Sequence, residues 1–310
     1  MDVSAAVHVI TVEDIRRSGA RSIPEALRLA PNLQVARANS RSWAISARGF
    51  SAPFSNKLLV LIDGRSVYSP LFAGVFWDAQ DTLLEDVERI EVISGPGASL
   101  WGANAVNGII NIITKPARDT QGVLAYGGTG TEERLLGGFR YGGGRGNNLR
   151  YRLYAKYFDR SDSVLADGSK AMDAWHGGQA GFRVDWGGNG RDQLTWQGDA
   201  YDGRGDQPGD AQLSQSGAHL LARWTRRVKP AEQLQVQVYY DRANQFAPAD
   251  FGDALDTFDV DTEYERRLGK RHSLIVGGGY RYTHDVVENI PDSVAFLPPE
   301  LDRHLFTSFV

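Results

Sequence analysis

The sequence has no cysteine, so neither a disulfide nor a thiolate metal site is available to it; that fits an exported bacterial protein without establishing export. It also lacks any apolar run near the ~20 residues a membrane-spanning helix requires. Its longest aliphatic stretch is Leu58–Ile62, so no helix crosses a bilayer. A basic excess is missing as well: 34 Lys and Arg stand against 38 Asp and Glu, for a net charge of −4. Without a basic stripe to displace counterions, nucleic acid is not expected as a partner. The six histidines, at 8, 176, 219, 272, 284 and 304, include no i,i+4 pair and join no carboxylate motif, and there is no G-x-S-x-G elbow. An enzyme is therefore not expected, and neither a catalytic residue, a bound metal nor a cofactor is assigned. The opening MDVSAAVHVITVEDI has neither a basic n-region nor an apolar h-region, so no signal peptide is read there.

What the chain does have is glycine, 35 of them, and aromatics: seven Trp, twelve Tyr and thirteen Phe. Small residues concentrate in Gly95–Lys115, GPGASLWGANAVNGIINIITK. Gly97-x-x-x-x-Gly102 has the glycine spacing of a phosphate-binding loop. The Lys and Ser/Thr such a loop needs are replaced by Ala103 and Asn104, and the apolar strand follows the glycines instead of preceding them, so nucleotide binding is set aside. A tight backbone packing segment is the better reading.

Two halves obey different rules. Up to Arg118 the pattern is that of an α+β domain. Ser22-Ile-Pro-Glu25 reads as a capping box opening a helix to Ala30, where Pro31 stops it. Strands are expected at Leu33–Ala38, Ala44–Arg48, Leu58–Ile62 (closed by Asp63-Gly64), Glu88–Ser94 and Gly108–Thr114, the last apolar enough to be central in its sheet. Beyond Arg118, side chains alternate. Leu234, Val236, Val238 and Tyr240 oppose Gln233, Gln235 and Gln237; Tyr151, Leu153, Ala155 and Tyr157 oppose Arg150, Arg152 and Lys156; Phe258, Val260, Thr262 and Tyr264 oppose Asp259, Asp261 and Glu263.

Ten such segments start near Val123, Glu133, Leu149, Trp175, Asp192, Gly217, Glu232, Asp256, His272 and Asp302. Their connections alternate between short (Gly142–Asn147, Gly187–Gly190, Val228–Ala231, Leu268–Arg271) and long (Ser161–Ala174, Arg204–Ser216, Gln245–Leu255, Val286–Leu301). A soluble sandwich has no reason for that rhythm, whereas an outer-membrane barrel has short periplasmic turns and long outer loops. Trp186, Trp224 and Tyr264 lie on the apolar face beside short turns, and Tyr157, Tyr240 and Tyr282 near the opposite ends, as two interfacial girdles would.

The segment Gly95–Gly108 followed by Ile109–Lys115 closely resembles the end of the plug domain in TonB-dependent outer-membrane receptors. Val9–Gly19, Ala47-Arg48-Gly49-Phe50 and Val60–Tyr68 agree with the same family in order. The resemblance implies an α+β plug, residues 1–118, followed by the amino-terminal part of an antiparallel transmembrane β-barrel, residues 119–310. Such barrels have about 22 strands, so the ten found here are expected to be a piece of one, truncated at both ends. The family implies residence in the outer membrane, contact with its lipid, and import of a scarce small-molecule ligand, most often a ferric siderophore, driven by the periplasmic coupling protein TonB. The segment that would contact TonB is absent ahead of the plug as written. Cobalamin, haem or another ligand, or a signalling or adhesion receptor without import, are the alternatives.

In the plug, outward loops are expected to meet ligand through Phe50, Ser51, Phe54, Tyr68, Phe72 and Trp77, aromatics able to stack on a planar chelate; for Phe76 and Trp77, packing of the plug itself is the competing role. The family's basic residue before Gly-Pro is Ser94 here, which leaves Arg48 and Arg89, with Glu263 on the wall, as expected plug-to-barrel contacts. Acidic residues in the long connections, such as Asp162, Asp167, Asp250 and Asp292, lack calcium-loop spacing and read as solvated. Arg204-Gly205-Asp206 reads as part of a turn-rich loop.

Overall fold

The computed structural model of the chain describes residues 6–49, 57–95, 105–188, 190–207, 211–229, 231–269 and 272–310. It comprises two compact units, residues 1–115 with 163–169, and residues 116–162 with 170–310.

The amino-terminal unit is built on a five-stranded sheet in the order β1 (Val7–Thr11), β6 (Val87–Ser94), β7 (Gly108–Thr114), β4 (Leu58–Ile62) and β5 (Arg65–Ser66). β7 is central, antiparallel to β6 and parallel to β4, and its isoleucines account for that place. Ile90, Val92, Ile110, Ile112 and Val60 bury one face against the helices α1 (Val12–Ser18) and α2 (Ile23–Leu27) through Ile15, Ile23 and Leu27. Each such side chain contributes about 1.5–3 kcal/mol of burial. A separate hairpin, β2 (Gln34–Arg37) with β3 (Trp43–Ser46), adds Trp43 to the same core.

Capping sets the helix starts. Thr11 and Asp14 form a reciprocal box at α1: the Asp14 amide donates to Thr11 Oγ1 at 3.2 Å, and the Thr11 amide donates to Asp14 Oδ2 at 2.9 Å. At α2 the expected box is only half formed. Ser22 Oγ accepts from the Glu25 amide, but the Glu25 carboxylate takes the Arg21 amide at 2.8 Å, one residue earlier than a box requires. α2 also ends at Leu27, short of Ala30; the next turn is held by i→i+3 bonds such as Ala30 N to Leu27 O at 3.1 Å.

The second unit is a ten-stranded antiparallel sheet in which every strand pairs with its sequence neighbour. The strands are β8 (Gly122–Gly128), β9 (Glu133–Arg145), β10 (Leu149–Arg160), β11 (Trp175–Trp186), β12 (Asp192–Gln207), β13 (Ala211–Lys229), β14 (Glu232–Ala247), β15 (Phe251–Leu268), β16 (His272–Asn289) and β17 (Glu300–Phe309). All ten expected segments are strands. One face carries exposed Phe139, Leu153, Tyr157, Trp196, Leu220 and Tyr240, while the opposite face carries buried Arg152, Arg183, Gln197, Gln237 and Asp259. Apolar side chains outside and polar ones inside reverse the order of a soluble sheet and suit a wall in lipid.

The register shows the stagger of a tilted wall. Following the row of directly paired residues from Tyr157 on β10 leads through Gly178, Asp202, Ser216, Asn244 and Ala254 to Val286 on β16. The outer aromatic of β16, Tyr282, is four residues back along the strand from that row. Apolar positions thus slip steadily from strand to strand, as the shear of a barrel demands.

Two of the four expected long connections are mostly strand. β12 and β13 stay paired to Gln207 and Ala211, and β14 and β15 to Ala247 and Phe251, where connections over Arg204–Ser216 and Gln245–Leu255 were expected. Gly, Pro and Asp punctuate both stretches (RGDQPGD at 204–210 and APADFGD at 247–253), which reads as loop although the ladder continues into them, and Arg204 and Asp206 are strand residues. The long irregular connections are residues 161–174 and 290–299.

Candidate functional site

The segment after β5 is fixed at its base by a buried clasp. Asp63, with φ 50°, turns the chain out of β4. Its carboxylate accepts from the Thr114 amide at 2.8 Å and from Thr114 Oγ1 at 2.7 Å, tying the turn to the central strand. An Asp tolerates this left-handed backbone while supplying the acceptor.

Beyond it, Ser69 and Gly74 exchange backbone hydrogen bonds of 2.8 and 3.3 Å, closing a small loop with Ala73 at φ 59°. Tyr68 and Phe72 are half-buried on this loop, and Phe72 packs edge-on to Phe76 with centroids 4.7 Å apart. Trp77 is different. It is 7% exposed and belongs to the main core with Val75, so its indole packs the unit from inside and does not line an outward surface. Phe50, Ser51 and Phe54 lie outside the described residues, as do Pro96–Asn104 of the glycine-rich segment.

A second support was not readable in the sequence. Arg41, at the tip of the β2–β3 hairpin, pairs with Asp78 at 3.2 Å, both largely buried. Burial pushes the Asp78 carboxyl up, against the opposing pull of Arg41. The hairpin tip is itself ordered by Asn39 Oδ1, which accepts from the Arg41 and Ser42 amides at 3.0 and 2.8 Å. Since 37 residues separate the partners, no local pattern signals this pair. It consumes the cation next to the aromatic loop, and residues 68–77 carry no Lys or Arg of their own.

The expected contact residues sit as follows. Arg48 has φ 61°, and its guanidinium lies beside Gly95. Arg89 donates to Glu91 and Glu88, each at 2.7 Å, and Glu91 also accepts from Asn111 at 3.0 Å, making a polar row on the second face of the sheet. Ser94, where the family pattern would have a base, is hydrogen-bonded to Asn32. Glu263 is half-buried on β15 between Gln235 and Gly277.

On the inner face of the wall, Tyr154 Oη donates to Asp199 at 3.1 Å, and His219 Nδ1 is 3.1 Å from the same carboxylate. Tyr154 reaches across β11 because Gly181 stands directly between: a Cβ there would lie 2.6 Å from the tyrosine ring. Nearer the outer end, Trp175 lies across Gly203 and Gly205 and clusters with Leu213, Ala247 and Phe158. Among the described residues, no group of three or more His, Asp or Glu is arranged to hold a metal ion.

Comparison with known proteins agrees with this architecture. Residues 1–109 match the TonB-dependent Receptor Plug Domain family. The vitamin B12 transporter BtuB of Photobacterium profundum is 27% identical over 314 residues, covering 93% of this chain and 48% of the relative. That of Vibrio vulnificus is 31% identical over 140 residues, 44% of this chain and 22% of the relative. Among solved structures, the siderophore receptor PirA from Acinetobacter baumannii superimposes with a TM-score of 0.77 over 97% of this chain and 53% of that one. At 16% identity that likeness speaks to fold alone. The chain spans about half the length, or less, of these relatives.

Proposed function

We propose, from the match of residues 1–109 to the plug domain of TonB-dependent receptors and the similarity of nearly the whole chain to such an outer-membrane transporter, that the protein containing this chain captures a scarce ligand at the outer surface of its plug and imports it with energy delivered through TonB. The observation that carries this reading is the pairing of a plug-family sequence with a wall whose exposed face is apolar and whose buried face is polar. The protein is a carrier and not an enzyme in this reading. Tyr68 and Phe72 are the plug aromatics proposed to contact ligand, and Phe50, Ser51 and Phe54 belong to the neighbouring segment.

A neutral, amide-bearing chelate of the cobalamin kind is the ligand we favour. Two points support it: the similarity to vitamin B12 transporters extends over 93% of the chain, and the Tyr68–Trp77 segment offers no cation. A ferric siderophore bearing several negative charges would gain from one. The siderophore expected from the family at large is the second reading, and one titration separates the two. The complete receptor is titrated with cyanocobalamin and with a ferric catecholate, and cells with and without TonB are assayed for uptake of the labelled compound. Binding of cyanocobalamin with TonB-dependent uptake supports the favoured reading. Binding of the ferric catecholate alone replaces it with the second, and binding of either without uptake turns the protein into a surface receptor.

A further inference from the structure

The two ends of the wall differ sharply in charge. The long-connection end is acidic: cations there, such as Arg160, Lys170, Arg204 and Arg303, are outnumbered by acids that include Asp162, Asp167, Asp250, Glu288, Asp292 and Glu300. The short-turn end is basic. Arg145, Arg191, Arg227 and Arg267 all lie there, exposed, without an acidic partner among the described residues. Arg226 and Arg266 share the same end and are paired incompletely: Asp192 is 3.6 Å from Arg226 and also accepts from Trp224 Nε1, while Glu232 at 3.1 Å from Arg266 is divided with Lys229. A chain of net charge −4 has therefore placed its surplus of cations at one rim.

The face on which they stand identifies the partner. Arg226 follows Trp224 by two residues and Arg266 follows Tyr264 by two, so each arginine is the next side chain on the apolar face beyond the inner girdle. Arg145 ends β9 on that same face, four residues after Tyr141. The row of paired residues from Arg145 passes through Leu149, Trp186, Leu194, Trp224 and Val236 to Thr262 on β15, and Arg266 is four residues beyond Thr262. That slip over six strand steps equals the slip of the outer girdle from Tyr157 to Tyr282 and has the same sense, so the arginines follow the tilt of the wall and keep a constant depth. Side chains on the lipid-facing side, one or two steps past the interfacial aromatics, stand at the level of lipid headgroups and not on a surface turned toward a soluble partner. A phospholipid headgroup meets them there, and its phosphate suits an arginine fork.

We propose that the short-turn rim is a docking surface for the phosphates of anionic phospholipid in the inner leaflet, with Arg145, Arg226 and Arg266 as the lipid-facing contacts. The inference does not depend on which ligand the receptor carries.

The test uses the complete receptor in nanodiscs of phosphatidylethanolamine with a minor fraction of phosphatidylglycerol, followed by measurement of the lipid retained on extraction. Phosphatidylglycerol should be enriched around the wild type. Each cation near an anionic surface is worth about fivefold, so the triple variant R145Q/R226Q/R266Q, two of whose arginines are partly paired already, should reduce enrichment by about tenfold or more. The triple Arg→Lys variant should retain most of it. R145Q alone leaves no stranded acid and should lose about fivefold, which keeps the test open if the triple variant does not assemble. Equal enrichment in wild type and R145Q would overturn the proposal. So would competition by soluble inorganic phosphate at matched concentration, which would indicate a free-ion site.

Discussion

Replacing Phe72 and Trp77 separately by Ala tests whether the first ring, proposed to contact ligand, differs in role from the core ring five positions further along the chain. Trp77 is 7% exposed within the main core. Truncating a buried Trp costs about 3–5 kcal/mol through lost burial and the cavity left behind. That raises the unfolding constant of the plug by about two to nearly four orders of magnitude, a large share of the ~5–15 kcal/mol that holds a domain together. Phe72 is half-buried and packs edge-on with Phe76 at 4.7 Å, a pairing worth about 0.5–1.5 kcal/mol beyond its buried area, so its removal should cost less stability than that of the buried Trp77. Its larger effect belongs to binding: losing a ring stacked on a chelate should weaken affinity about tenfold, or ~1.4 kcal/mol. The assay is calorimetric titration of the complete receptor with cyanocobalamin and a ferric catecholate, run beside denaturant unfolding of the plug. If F72A binds both compounds as the wild type does, or if W77A leaves the plug transition unmoved, the assignment of the two rings is wrong.

Other outcomes follow from the same contacts. Asp63→Ala strips the Thr114 amide and hydroxyl of their buried acceptor, which should cost about 2–5 kcal/mol and speed amide exchange at Thr114; Asp63→Asn, which keeps an acceptor and tolerates positive φ, should cost less. Two carboxyls give the plug opposing responses to pH. Hydrogen bonds from Thr11 hold Asp14 below its ordinary value, so its contribution is present above the unfolded pKa and lost as pH falls through the folded one, and T11A should flatten that acid limb of the unfolding midpoint. Burial raises Asp78, so its contribution is complete below the unfolded pKa and lost as pH rises through the folded one; D78N should lack that slope. Gly181→Ala places a Cβ 2.7 Å from Asp199 Cβ and 2.6 Å from the Tyr154 ring, and should break the Tyr154–Asp199 bond at about 1–3 kcal/mol, read as a lower temperature of gel-mobility change for the folded barrel.

The wall was legible in the sequence to the extent that one face is apolar and the other polar, because a period of two survives even where the strands pass from membrane to water. It failed where turn residues interrupt the period, as in RGDQPGD at 204–210 and APADFGD at 247–253, which is why the ends of β12–β15 looked like loop. In the plug, the isoleucines of β7 announced a central strand, but β1 and α1 gave little sign of themselves. β1 is an edge strand exposed along much of its length, and the helix box uses Asp14 at the position where Glu or Gln is the usual signal. Sequence spacing could not tell Phe72 from Trp77, since aromatic identity carries no direction until the clasp at Asp63 and the Ser69–Gly74 closure orient the loop. Nor could it find Arg41–Asp78, a pair formed between two loops far apart in the chain.

The continued pairing of β12 with β13 and of β14 with β15 up to their tips sets a mechanical division of labour on the outer side of the wall. A ribbon cross-linked by backbone bonds to its last residues bends only as a whole, so these two hairpins act as fixed posts. Residues 161–174 and 290–299 carry only scattered backbone bonds, such as Leu165 N to Ser169 O at 2.9 Å and Ser293 N to Ile290 O at 3.2 Å, so each can change shape without moving a whole ribbon.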